Sequence, residues 1–288
     1  MLFEIKRILV CSDLSPKSDE VLRDAELLRQ RVGAEVDVLY VSDIGIHLDF
    51  SATETKKETY YDTFVESLAE DLKHKLRAQI ERTGLQGNAL FSEGSIVEEI
   101  NRLILTGPQR YDLLIIGHHS KIGVVHHLIG SVARKIISDA PIPTIVVKKK
   151  IEFKTIAAFI DGTGPIDWMV SSTLDFYRSL KFEKVEFISL WMDLPLSFHK
   201  EEVFKNLSEQ IKDEVHYFSR EGEKCIVRVE ATHDLMVSYH LIRIIEEDGI
   251  DLALMRRNRG KKLNKKIIGS ETQRILDLES TNLLIMPV

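Results

Sequence analysis

The chain has 288 residues, 44% of them apolar and 29% charged, and a formal net charge of −6. That composition is that of a globular protein with length for two domains, each able to bury a core. The negative balance argues against a general nucleic-acid binder, and the absence of any run of about eighteen apolar residues predicts no membrane span.

Arg7–Cys11 reads as a short buried strand, followed by Asp13-Leu14-Ser15-Pro16. Ser15 offers an N-cap hydroxyl and Pro16 a suitable first helical position. A helix then runs through Val21, Leu22, Ala25 and Leu28 and is ended by Gly33. Glu35–Val41 is strand-like, a long amphipathic helix spans Glu58–Arg82 before Gly84, and Ala89–Phe91 is a short strand. Ile96–Leu105 is helical, Leu113–Ile116 is an apolar strand, Ser131–Ser138 is helical and Ile142–Val147 is a strand. The opening MLFEIKRILVCSD lacks the long apolar run and cleavage site of a signal peptide. Cys11 and Cys225 are far apart and form no disulfide framework, which suits a reducing cytoplasm. Cys11 reads as a small buried hydrophobe.

The pattern then repeats. Thr155–Ile160 leads into Asp161-Gly162-Thr163, as the first strand leads into Asp13. Trp168–Leu180, Glu202–Ser219 and Leu235–Glu247 are helical; Val185–Leu190, Ile226–Val229, Asp251–Met255 and Asn282–Met286 are strands. Gly269-Ser270 answers Gly130-Ser131, so a whole domain is duplicated rather than a solenoid unit. Strands alternating with helices imply right-handed βαβ units. The expected fold class is therefore α/β, with two tandem open five-stranded parallel sheets covered by helices on both faces. The boundary falls at the lysine run 148–150, giving domains 1–150 and 151–288; so short a junction predicts close packing.

The most informative segment is Leu113-Leu114-Ile115-Ile116-Gly117-His118-His119-Ser120, with Gly130-Ser131 opening a helix ten residues later. Gly117 stands where a chain leaving a strand needs unusual φ/ψ or close approach to a ligand. Gly130-Ser131 presents backbone N–H groups and a hydroxyl at a helix N-terminus, which favours an anion. A plain strand-to-helix connection would be shorter. No Walker G-x-x-x-x-G-K-[ST] occurs.

A strand ending in Asp, an apolar strand into Gly-x-x-(Gly), nine residues and then Gly-Ser: this resembles the universal stress protein family, in two tandem copies over nearly the whole chain. The resemblance implies an adenine nucleotide-binding fold with ATP or AMP, with or without Mg, at the carboxyl ends of the strands, where an open α/β sheet favours ligands anyway. It implies that Ser12 and Asp13 meet the adenosine portion, that Val41 offers backbone groups to the adenine edge, and that Gly117, Ser120, Gly130, Ser131 and Val132 surround the phosphates. The second family glycine is Ser120 here, which must tolerate a Cβ in the loop. In the second copy Arg256 and Arg259 replace both loop glycines, so that cradle is expected to be degenerate. The family also pairs final strands domain to domain, which implies an internal pseudo-dimer; a further homodimer is left open.

Other residues admit two readings. Asp13 serves either ribose hydroxyls or the following helix start. Of His118, His119, His126 and His127, adjacent pairs do not converge as metal ligands must, so no metal is expected; His119 is the candidate charge partner for phosphate. Arg256, Arg257, Arg259, Lys261 and Lys262, followed by Lys265 and Lys266, form either a solvated loop or an anion- or partner-binding patch; without interleaved aromatics it is no single-strand platform. Trp168 and Trp191 read as core or interface residues. No catalytic motif is present. The function expected is that of a stress-response regulatory protein holding an adenine nucleotide in its N-terminal domain. The alternatives are a nucleotide-free interaction module and a slow ATPase.

Overall fold

Strands rich in Ile, Leu and Val, each followed by an amphipathic helix, carry apolar side chains on both faces of a sheet, so helices must cover both. The computed structural model describes residues 4–43, 55–118, 130–162, 164–192, 200–232, 237–257, 274–277 and 281–287. Among them the first half runs β1 (Arg7–Cys11), α1 (Ser18–Val32), β2 (Glu35–Ser42), α2 (Thr55–Thr83), β3 (Asn88–Glu93), α3 (Ile96–Thr106), β4 (Leu113–Gly117), α4 (Ser131–Asp139) and β5 (Thr144–Val147). The second runs β6 (Thr155–Phe159), α5 (Ile166–Leu180), β7 (Lys184–Met192), α6 (Lys200–Phe218), β8 (Cys225–Thr232), α7 (Val237–Glu247), β9 (Leu252–Arg256) and β10 (Asn282–Met286).

The strands lie in one sheet in the order β3-β2-β1-β4-β5-β10-β9-β6-β7-β8. Within each half every pairing is parallel. The halves meet where β5 and β10 run antiparallel, with Val146 opposite Leu283, Ile145 opposite Leu284 and Thr144 opposite Ile285. Two five-stranded parallel sheets are thereby continuous, and two apolar edges that would each expose unpaired backbone groups cover one another.

Successive strand residues face opposite sides, which splits the interior in two. Ile8 and Val10 join Leu22, Ala25, Leu28 and Leu76 on one side; Leu9 joins Ile100, Ile136 and Ile137 on the other. Trp168 packs against the first of these layers, as its composition suggests. No helix among the described residues is long and apolar enough to cross a membrane.

Element edges differ from expectation for local reasons. The regular part of α1 begins at Ser18 rather than just after Ser15, although the Ser15 hydroxyl still accepts the Ser18 N–H at 3.3 Å. β5 begins at Thr144, two residues late, because Pro143 has no N–H to give the ladder. The junction packs closely. Ile151 and Phe153 are buried; the Arg31 guanidinium lies 3.9 Å over the Phe153 ring. Arg31 also donates to the Leu180 and Lys181 carbonyls at 3.1 and 2.8 Å. Asp24 of α1, almost wholly buried, accepts the Ile151 N–H at 3.4 Å.

Candidate ligand site at the strand ends

In the first half β1 connects outward to β2 on one side while β4 lies on its other side, so the carboxyl ends of these strands leave a crevice at a topological switch point. A cavity of about 390 Å³ occupies it. Ser12, Asp13, Val41, Gly117, Gly130, Ser131 and Val132, all singled out from the sequence, line it together. His119 and Ser120, with Gly123, His126 and His127, lie outside the described residues.

The turn from β1 into α1 is held from several sides. Ser12 donates its N–H to the Leu39 carbonyl at 2.9 Å. Its hydroxyl donates to Gln79 Oε1 at 2.6 Å and accepts the Leu14 N–H at 3.0 Å. Asp13 Oδ1 accepts the Ser15 N–H at 2.9 Å and the Ser18 hydroxyl. Gln79, fully buried on α2, donates to the Ser15 carbonyl at 3.2 Å and to Asp19 Oδ1 at 2.7 Å. This bracing holds Leu14 in the left-handed region at φ 60°, a conformation costing a non-glycine residue roughly 1–2 kcal/mol. Asp13 thus performs the helix-start role while also bordering the cavity.

Of the two reasons for a glycine at the end of β4, unusual φ/ψ or close approach, the backbone leaves the second. Gly117 is the last residue of β4, opposite Val147 in the ladder, and Gly130 is an extended N-cap at φ −60°, ψ 151°. Neither is among the positive-φ positions, so what they contribute is a missing side chain beside the cavity. The first intrahelical bond of α4 runs from Arg134 N–H to the Gly130 carbonyl at 3.0 Å. The N–H groups of residues 131–133 are therefore those the helix leaves without internal acceptors, next to the cavity.

Among the lining residues not foreseen as site residues are Cys11, Tyr40 and Asp43 at the strand ends, and Ser18 at the start of α1. Burial, helped by the Asp43 and Asp13 charges, raises the Tyr40 phenol above its usual range. Cys11 is partly exposed where it borders the cavity, yet burial of its thiol pushes it up to about 12, so it stays a neutral thiol. Gln79 carried one faint signal: an amide on the helix face shared by Leu76 and Ile80.

The second half repeats the frame and fills it. Ile160 donates its N–H to the Ile188 carbonyl at 2.8 Å, as Ser12 does to Leu39. By this register Asp161 stands for Asp13, Gly162 (φ 67°) for Leu14, and Arg256 for Gly117. Arg256 turns inward, its side chain 12% exposed, with Nη2 at 3.3 Å from Asp161 Oδ2. Its guanidinium lies directly on Gly164, where an added Cβ would sit 2.3 Å from Cζ. Arg257 is also buried, donating to the Ile137 and Ala140 carbonyls at 3.2 and 2.7 Å. These two arginines consequently do not belong to an exposed basic patch, since adjacent residues leaving a strand face opposite layers and both layers here are covered. Arg259, Lys261 and Lys262 lie outside the described residues.

An open parallel α/β sheet with a cavity at its carboxyl ends defines a broad class of ligand-binding folds. The sequence profile of the universal stress protein family matches residues 4–148, and the chain belongs to that family. A universal stress protein of Methanocaldococcus jannaschii is 31% identical over 144 residues, 50% of this chain and 82% of the relative. A second from the same organism is 24% identical over 157 residues, 50% of this chain and 96% of the relative. The solved structure of a universal stress protein from Archaeoglobus fulgidus DSM 4304 shares the fold over 98% of both chains, with a TM-score of 0.67 at 19% identity.

Proposed function

We propose that this chain is a stress-response regulatory protein that binds an adenine nucleotide in its first half, while the second half is structural or partner-binding. The carrying observation is the convergence of Asp13, Val41, Gly117, Gly130, Ser131 and Val132 on one cavity. Asp13 accepts ribose hydroxyls, backbone groups near Val41 meet the adenine edge, and the free N–H groups at the start of α4 receive phosphate. The family likeness assigns Ser120 to the phosphate as well, and His119 is its candidate charge partner. Ser12 lines the cavity while its hydroxyl braces the turn through Gln79 and Leu14, which supports a role in holding Asp13 in place.

The described lining residues include two carboxylates, Asp13 and Asp43, and neither Lys nor Arg. That balance supports AMP, or ATP whose charge Mg offsets, over bare ATP. In the second half the Arg256 guanidinium takes the place that Gly117 leaves open, which supports one competent site per chain. The antiparallel β5–β10 ladder supports reading the two halves as an internal pseudo-dimer.

The test is acid extraction of the purified protein with mass analysis of any released nucleotide, followed by calorimetry with AMP and with ATP with and without Mg. The expected result is one adenine nucleotide per chain. Absence of heat with all three, from protein shown to be nucleotide-free, would leave an interaction module with both sites inactive.

A further inference from the structure

The first half does not hold its own phosphate-side helix unaided. α4 has nine residues, with its N-terminal turn at the cavity and its C-terminal turn at the seam between the halves. The last carbonyls of a helix lack internal donors. Here the Ala140 N–H closes on the Ile136 carbonyl at 2.8 Å, and the next carbonyl, Ile137, together with that of Ala140, is taken by Arg257 Nη1 from the other half. The arginine is fixed in turn by its backbone N–H, which donates to the Met286 carbonyl of β10 at 2.9 Å. It is only 4% exposed. A guanidinium so placed is worth its desolvation only when its donors find acceptors in good geometry, and a helix C-terminus is the backbone's natural acceptor for a cation.

A second tie joins the same helix to the same half. Arg134, one turn into α4, pairs with Asp277 at 2.5 Å. The arrangement is reciprocal: Lys148, just after β5, donates to the Leu276 carbonyl at 2.7 Å, at the helical turn 274–277 of the second half. Each half thus supplies a cation to the last helix of the other.

We propose that Arg257 is a positioning residue for the nucleotide site of the opposite half. By clamping the C-terminal end of α4 it fixes where the N-terminal amides of that helix meet phosphate. The influence is one of placement rather than field, because a charge interacts with a helix dipole mainly within the adjoining turn and nine residues put about 13 Å between the two ends. The proposal rests on the nucleotide reading above and assigns the second half a specific task within it.

The experiment uses the full chain with Arg257→Met, which removes charge and donors at similar length, and Arg257→Lys, which keeps a cation. Affinities are measured for AMP and for adenosine, and amide hydrogen exchange is followed in ligand-free protein. In Arg257→Met the AMP dissociation constant should rise about tenfold, the size of a clamp worth ~1.4 kcal/mol. The adenosine constant should stay within about twofold, since adenosine carries no phosphate for α4. Arg257→Lys should recover most of the loss. Exchange in residues 131–140 should quicken in Arg257→Met while α3 keeps its rate. If Arg257→Met does not fold, Asp277→Asn loosens the second tie and should weaken AMP selectively by a smaller factor. Equal weakening of AMP and adenosine, or unchanged AMP affinity, overturns the proposal, as does unchanged exchange in α4. If the wild type binds neither ligand, the nucleotide reading falls, and the exchange data alone decide whether Arg257 clamps the helix.

Discussion

The two halves of this chain share one frame and differ at one strand end. In the first, β4 closes on Gly117 and a cavity of about 390 Å³ stands open beside it. In the second, β9 closes on Arg256, whose guanidinium lies against Gly164 and Asp161. A fold that gathers backbone donors and a carboxylate at its strand ends can leave that spot for a ligand or occupy it with its own cation. In the second half the acidic residue at the strand end is met by a cation of the chain's own, Arg256.

The strongest way to break this contrast is to block the open half. Gly130→Asp places a carboxylate beside the α4 amides, where it meets the helix N-terminus in place of phosphate and repels an anion. AMP affinity measured by calorimetry should fall at least about a hundredfold, equivalent to ~2.7 kcal/mol; undiminished affinity would place the phosphate elsewhere.

The next largest effect concerns the junction. Burial raises the Asp24 carboxyl to about 6, against the partial relief of the Ile151 N–H and the Lys150 charge, with Glu20 adding to the rise. A carboxyl pushed above its unfolded value leaves stability intact below that value and costs stability as pH rises through the folded one. Asp24→Asn mimics the protonated form. It should raise stability by about 2 kcal/mol above pH 7 in denaturant titrations, the gain fading to nothing as pH falls below roughly 4. A gain independent of pH would show that the carboxyl is not the strained group.

Arg256→Ala sharpens the comparison from the filled side. Asp161 is 48% exposed at its side chain, so solvent moderates the loss to about 1 kcal/mol, read as a lower melting temperature. The AMP affinity of the first half should stay within about twofold, about 0.4 kcal/mol; a larger change would make the two strand-end sites interdependent.

The smallest effects concern left-handed positions. α1 ends on Gly33 at φ 71°, and the matching end of α5 is Lys181 at φ 55°. Lys181→Gly should stabilise by under about 1 kcal/mol, and Gly33→Ala should destabilise by about 1 kcal/mol, by the cost of a Cβ in that conformation. Both are read from denaturant midpoints, and equal signs would refute the matching of the two helices.

Much of this was legible in the residues. Runs such as Leu113–Ile116 and Leu252–Met255 announced buried parallel strands, and the repeated strand-Asp and Gly-Ser pairs gave the duplication. Asp13, Gly117, Gly130 and Ser131 were placed together by their spacing and family likeness, and the fold brings them to one cavity. What escaped were the groups whose role depends on tertiary approach. Gln79 looks like any polar residue on a long helix until its amide is seen inside the β1–α1 turn. Arg256 and Arg257 looked like the start of a basic loop, because sequence alone does not show that one finds a carboxylate across a crevice and the other a helix end across a seam. Nothing in the residue type marked Leu14 as a left-handed position, and at Gly117 the backbone leaves close approach as the reason for a glycine.

The antiparallel ladder between β5 and β10 has a consequence for how the molecule is assembled. Two unlinked copies could make such a seam only by meeting in solution, at a rate set by their concentration. Here a tether of a few residues, anchored by Ile151 and Phe153, makes the encounter intramolecular, with an effective concentration on the order of millimolar. The seam therefore needs little intrinsic affinity to stay closed. Among the described residues, the outward margins of the ten-stranded sheet are β3 and β8.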